Sequence, residues 1–139
     1  MTIVVDAANV MGSRPDGWWR DRAGAAARLH GELARLAASG GPLPLDGAAV
    51  AHPEFVMVLE GAAKAAAGRI SEDEDEDKDD PRVRVVLAGG SGDDAIVAVV
   101  RELGGDCYVV TADRRLRERC AAEGAKILGP GWLLGLLRS

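Results

Sequence analysis

The chain opens on a continuous apolar run, Ile3-Val4-Val5, that ends on a carboxylate, Asp6, with Asn9 and Gly12 close behind. β-Branched residues without polar alternation suit a strand covered on both faces, as in the middle of a parallel sheet. Phe55-Val56-Met57-Val58-Leu59, ending at Glu60-Gly61, is a second such stretch, and Val83-Arg84-Val85-Val86-Leu87 a third. Asp106 to Val110 and the short Ala125 to Leu128 complete the set. Between them the apolar period lengthens to that of a helix. From Trp18 to about Ala38, Ala26, Leu29, Leu33 and Leu36 share one stripe, with Arg22, Arg28, Glu32 and Arg35 away from it. Asp16 is the expected N-cap of this helix and Ser39-Gly40-Gly41-Pro42 its stop. Gly24 and Gly31 inside it suggest close packing on the sheet.

Residues 42 to 53, with three prolines, read as a loop, and Ala62 to Ile70 as one or two helical turns. Beyond Pro81 the pattern is regular. A glycine-rich turn from Ala88 to Gly92 leads into a helix from Asp93 to about Leu103, with Ile96, Val97 and Val100 inward. A helix from Asp113 to Glu123 buries Leu116 and Cys120 and stops at Gly124. Gly129-Pro130-Gly131 starts a final helix that carries Trp132, Leu133, Leu136 and Leu137. The alternation predicts an α/β fold: a mostly parallel five-stranded sheet in a three-layer α/β/α sandwich. At 139 residues, positions 1–139 are expected to form one domain that buries a core without disulfide help.

Composition changes this picture in two places. Aromatics are few, so the core must be mostly Val, Leu, Ile and Ala, while Cys107 and Cys120 read as small buried hydrophobes. No apolar run is long enough to span a bilayer and the N-terminus shows no signal pattern. A cytoplasmic location without membrane contact is the default expectation. The net charge of -5 is dominated by Glu72-Asp73-Glu74-Asp75-Glu76-Asp77-Lys78-Asp79-Asp80, which holds eight of the 22 acids and one of the 17 bases. Without it the count is 16 bases against 14 acids, a net of +2, so an anionic partner is compatible with the rest. The run itself is expected to be a solvated, disordered loop at about 71–81. A calcium loop would need a glycine at the bend and spaced ligands, and it has neither.

The acids fall at the strand ends. Asp6 closes the first strand and Glu60 the second; Asp93 and Asp94 open the helix after the third, and Asp113 the helix after the fourth. In a parallel sheet these junctions share one edge, where ligands bind. Carboxylates crowded there raise one another's pKa, and a hard divalent cation offsets the repulsion. Oxygen-only ligation by Asp6, Asp93, Asp94, Asp113 and Glu60, with Asn9 and Thr111 as neutral oxygens, points to Mg²⁺ or Mn²⁺. His30 and His52 have no ligand-like setting. Each of Asp93, Asp94 and Asp113 also suits an N-cap, and Glu60 a solvated strand end; the weight lies in their joint placement.

Val-Val-Asp-Ala-Ala-Asn-Val-Met-Gly at the start, Ser-Gly-Asp-Asp-Ala-Ile-Val and Val-Val-Thr-Ala-Asp-Arg-Arg-Leu together resemble the PIN-like nuclease superfamily. Within it they look most like the NYN branch that includes the YacP-like bacterial proteins. The likeness runs from residue 2 to about 137. It implies a sheet in the order 3-2-1-4-5, an acidic pocket for Mg²⁺ or Mn²⁺, and metal-dependent hydrolysis of RNA phosphodiester bonds. By position, Asp6 matches the first-strand aspartate and Asn9 the asparagine of the opening motif. Asp93 or Asp94 matches the acid after the third strand, and Asp113 that after the fourth. Two positions depart from the pattern: Ala7 stands where the family has Gly, and Glu60 is the candidate for its further acid.

On this reading Asp6, Asp93, Asp94 and Asp113 are the catalytic set. Asn9 and Thr111 would orient water or phosphate, and Arg14 and Arg114 would contact the RNA backbone, which neutralises phosphates without reading sequence. Trp18 or its neighbour Trp19 would stack a base, the other anchoring the first helix, because adjacent side chains cannot both point inward. Arg117 and Arg119 are expected to face solvent or pair with Glu118 and Glu123. The competing class is a catalytically degenerate module of the same fold that binds RNA or protein, and self-association stays open. The opening strand does not end in the Asp-x-Asp of phosphatases, and no Gly-x-x-x-x-Gly-Lys nucleotide loop is present.

Overall fold

The computed structural model describes residues 1–39, 43–45, 48–50, 53–68 and 83–138. Strand β1, Thr2–Asp6, runs directly into a short helix α1, Ala7–Gly12. A 3₁₀ turn, Trp18–Arg20, precedes the long helix α2, Arg22–Ala38. Two short strands follow, β2 (Leu43–Leu45) and β3 (Ala48–Val50), then β4 (Glu54–Leu59) and a second 3₁₀ turn, Gly61–Ala65. The remainder alternates: β5 Val83–Leu87, α3 Gly92–Glu102, β6 Cys107–Val110, α4 Arg114–Ala122, β7 Lys126–Leu128 and α5 Pro130–Leu137.

Five strands form one sheet in the order β5-β4-β1-β6-β7, every pair parallel. Counted among the sheet's own strands this is 3-2-1-4-5; the small antiparallel hairpin β2-β3 stands apart and shifts the chain-order numbers. The central strand β1 shows why it is apolar throughout. Ile3 and Val5 face one buried cluster with α1, α2 and α5, and Val4 faces the other with α3 and α4, as the twofold pleat requires. The helices change sheet face between β1 and β6, so the crevice at the carboxyl ends of those two strands is the topological switch point.

Several expectations need correction. The segment read as a loop at 42–53 contains the hairpin; Leu43 and Leu45 are 2% and 1% exposed, so Leu-Pro-Leu is a two-residue alternation that the prolines masked. Asp6 is followed directly by the helix α1, which the apolar pattern did not show. Asp16 does not cap α2: Asp21 does, accepting from the Gly24 backbone N–H at 2.9 Å, while Asp16 lies 3.8 Å from Arg28. A Cβ on Gly24 would run into that capping carboxylate, and one on Gly31 would meet nothing, so neither glycine is there for packing on the sheet. Ser91, not Asp93, caps α3. Cys107 and Cys120 are buried free thiols, and burial pushes the Cys120 thiol up to about 11. No helix among the described residues is long and apolar enough to cross a membrane. His52 and the acidic run at 71–81 lie outside the described residues.

Candidate active site

The site is built where β1 and β6 end. Asp6 is 8% exposed and both its oxygens accept hydrogen bonds, Oδ1 from the Asn9 backbone N–H at 3.3 Å and Oδ2 from the Thr111 hydroxyl at 2.9 Å. The first bond caps α1, which explains the Asp-x-x-Asn spacing: the carboxylate that ends the strand starts the helix. Asn9 then reaches across the switch point, its Oδ1 accepting from the Ala112 N–H at 2.8 Å. Thr111 is fully buried, and its hydroxyl, which donates to Asp6, also accepts from the Asp113 N–H at 3.2 Å. Asp113 Oδ1 caps α4 through the Leu116 N–H at 3.0 Å, and Arg117 Nε donates back to the Thr111 carbonyl at 2.7 Å. One network therefore stitches β1, α1, β6 and α4.

The third side comes from β4 and α3. Glu60 accepts from the Gly92 backbone N–H at 2.7 Å, so the carboxylate beyond β4 holds the first residue of α3. The approach is close: a Cβ at position 92 would lie 2.5 Å from Glu60 Oε2 and 2.8 Å from its Cδ, so an alanine there would displace the end of the Glu60 side chain. Gly92→Ala is expected to destabilise the fold by about 1 kcal/mol, by pushing the Glu60 carboxylate off the backbone N–H it accepts from. Thermal unfolding checks it, with a smaller cost expected in an Glu60→Ala background where the opposing atoms are gone. An equal cost in both backgrounds would mean that Glu60 is not what Gly92 accommodates.

Electrostatics separates the two acids of α3. Asp93 is raised by burial, then by the neighbouring charges of Asp113 and Glu60 and least by that of Asp94, with Arg119 opposing. Asp6 is raised chiefly by burial, with smaller contributions from the Asp93 and Glu60 charges, while the Thr111 and Asn9 hydrogen bonds pull it down. Asp93 and Glu60 thus link Asp6 to Asp113 electrostatically, and Asp94 enters only as the weakest of the charges on Asp93. Asp94 points elsewhere, forming an ion pair with Arg119 at 2.8 Å on an exposed face.

The donor set has the hard-oxygen chemistry of a Mg²⁺ or Mn²⁺ site. Among the described residues no three His, Cys, Asp or Glu side chains are gathered closely enough to hold an ion. Mg²⁺ commonly keeps several waters and takes only one or two carboxylates directly, so the crowded, partly dehydrated pair Asp6 and Asp93 fits that style of binding.

This architecture has known counterparts. The chain shares its fold with Rae1 (YacP) from Bacillus subtilis. That crystal structure matches with a TM-score of 0.68 at 16% identity, covering 99% of this chain and 74% of the other. The W164L mutant of the same protein matches with a TM-score of 0.67, also at 16% identity and with the same coverage. No family model and no curated relative matches the sequence. The YacP-like resemblance carried by three short segments therefore has a structural counterpart along almost the whole chain, and what that likeness shows is the PIN-like α/β fold.

The remaining candidates fall into place around the network. Thr111, expected to touch water or phosphate, is fully buried and bonded to Asp6, so it is a support for that carboxylate. Arg14, expected at the substrate rim, makes a two-pronged ion pair with Glu32 of α2 at 2.7 and 2.8 Å and is only 20% exposed. Its charge is neutralised within the fold. Arg114 is 93% exposed, 3.4 Å from Glu118, and remains available to a backbone phosphate. Arg119 pairs with Asp94 and Arg117 with the Thr111 carbonyl, in place of the expected Glu118 and Glu123 partners; Glu123 pairs with Arg101 at 2.9 Å. Trp18 packs against the core and Trp19 is 55% exposed, so Trp18 is the anchor of the pair. Ala7 is the first residue of α1, 1% exposed in the core, in a helical position that needs no glycine.

Proposed function

We propose that the chain is a metal-dependent ribonuclease that hydrolyses RNA phosphodiester bonds with Mg²⁺ or Mn²⁺. The observation that carries this reading is the convergence of Asp6, Glu60, Asp93 and Asp113 at the switch point, with Asp6 and Asp93 raised by burial and by neighbouring carboxylates. The likeness to Rae1 (YacP) supports the same architecture. Asp6 and Asp93 would hold the ion directly and Asp113 through water, and the ion when bound supplies an acidified water and offsets charge on the scissile phosphate. The chain's own work is positional. Thr111 and the α1 N-terminus fix both oxygens of Asp6. Glu60 holds the start of α3, and with it Asp93. Asn9 ties the β1 end to the β6 end, and the exposed Arg114 offers a cation to a phosphate on the RNA.

A second reading, a degenerate RNA- or protein-binding module, is favoured by one observation: Asp6 and Asp113 both serve as helix caps, and no three acids among the described residues close on a single point. The deciding experiment incubates end-labelled single-stranded RNA with the chain in Mn²⁺ and in EDTA, beside Asp6→Asn. Cleavage that needs Mn²⁺ and Asp6 supports the nuclease. Cleavage by the variant at the wild-type rate points to a contaminant. No cleavage, together with no heat of Mn²⁺ binding in calorimetry, supports the binding module.

A further inference from the structure

The 3₁₀ turn Trp18–Arg20 leads straight into α2. α2 carries the chain from β1 back toward the start of β4, and these two strands are parallel. Its N-terminus therefore lies at the carboxyl ends of the strands, the end of the sheet that carries the acids. The turn is well fixed. Gly17 adopts φ 76°, the Arg20 N–H donates to the Gly17 carbonyl at 3.0 Å, and Trp18 packs on the core while its indole meets Trp19 edge-on at 6.1 Å. Trp19 is held by this backing yet stays 55% exposed, an uncommon state for so large an apolar ring.

Cations frame it. The Arg20 guanidinium sits 5.8 Å from the Trp19 ring centre and that of Arg22 lies 5.4 Å from Trp18. Neither arginine has an acidic partner among the described residues. The segment from Arg14 to Arg28 holds four arginines against Asp16 and Asp21, of which Asp16 lies beside Arg28 and Asp21 caps α2. A flat, half-exposed indole with the Arg20 guanidinium over it, and that of Arg22 over the adjacent Trp18, matches a base with its phosphates: the free part of the ring stacks on any base and the cations attract the backbone. An apolar protein partner would leave both charges unmatched.

We propose that Trp19, with Arg20 and Arg22, is a stacking platform that holds an unpaired nucleotide of single-stranded RNA at the same end of the sheet as the carboxylates. The assignment rests on the ribonuclease reading for its biological sense, but its test does not require cleavage. Fluorescence anisotropy of a labelled single-stranded RNA and of a duplex of the same length, in EDTA, is compared for wild type, Trp19→Ala, Trp19→Phe and Arg20→Ala/Arg22→Ala. Trp19→Ala is expected to weaken single-strand binding about tenfold, with Trp19→Phe near wild type. The double arginine variant should flatten the salt dependence of binding. Thermal melts confirm that each variant is folded. The platform is overturned if Trp19→Ala binds as wild type does, if duplex binding falls equally, or if the wild type does not bind single strands. Loss of binding in Trp19→Ala by a chain that never cleaves RNA keeps the platform and removes the nuclease; Mn²⁺-dependent cleavage that Trp19→Ala leaves unchanged at limiting RNA does the reverse.

Discussion

Asp6→Asn is expected to slow Mn²⁺-dependent cleavage of single-stranded RNA by about 10²- to 10³-fold, the several kcal/mol that a metal-held carboxylate contributes to the transition state. The chain should stay folded. An asparagine at position 6 still accepts the Asn9 N–H through Oδ1, and its Nδ2 can donate to a Thr111 hydroxyl turned to accept. Burial already disfavours the charge at this position, so removing it relieves a cost at neutral pH. A melt at pH 7 beside the cleavage assay separates the two effects: unchanged or higher stability with activity lost. A variant that melts far below wild type would mean that the carboxylate is there for the fold.

Thr111→Val is expected to act on both stability and pH dependence. Valine keeps the volume but removes the donor to Asp6 and the acceptor for the Asp113 N–H inside a fully buried site. Leaving those groups unmatched is expected to cost about 1–3 kcal/mol of stability. The Thr111 hydrogen bond lowers the Asp6 carboxyl, so its loss raises that carboxyl further. The sign follows from linkage. A carboxyl raised in the folded state contributes stability that is complete below its unfolded value of 3.8 and is lost as pH rises through the folded value. The variant's deficit should therefore be largest at neutral pH and shrink toward pH 4. Cleavage, which needs ionised Asp6, should show its acid limb displaced to higher pH, and Thr111→Ser should restore both readouts. An acid limb that stays in place would remove Thr111 from the control of Asp6.

How far the sequence shows this site depends on the range of each interaction. The strand ends are local features, so Asp6, Glu60, Asp93 and Asp113 could be assigned to one edge from apolar runs and the turns after them. The sheet order came with the family resemblance; it matches when only the strands of the main sheet are counted, and the β2-β3 hairpin, which the sequence did not show, makes the full chain order differ. What periodicity could not resolve was direction. Asp93 and Asp94 both open α3, about 100° apart around its axis, and the residue that claims Asp94 is Arg119, 25 positions away. Trp18 and Trp19 differ in the same way, one turned into the core and one out of it. Arg14 looked free because its partner Glu32 lies 18 residues on, across the contact of the α1–α2 connection with α2. The short-range signals that were present but missed are Asp6 at the N-cap spacing from Asn9, Ser91 before Gly92, and the Leu-Pro-Leu alternation of β2.

The choice between Asp93 and Asp94 also gives the most direct test of the central claim, that the acids linked at the switch point are the catalytic ones. The measurement is the cleavage rate of end-labelled single-stranded RNA in Mn²⁺ by wild type, Asp93→Asn and Asp94→Asn side by side. Asp93→Asn is expected to lose about 100-fold or more. Asp94→Asn, which gives up only an exposed ion pair with Arg119, should stay within about twofold of wild type. Equal rates for the two variants, or a greater loss at Asp94, would contradict the account.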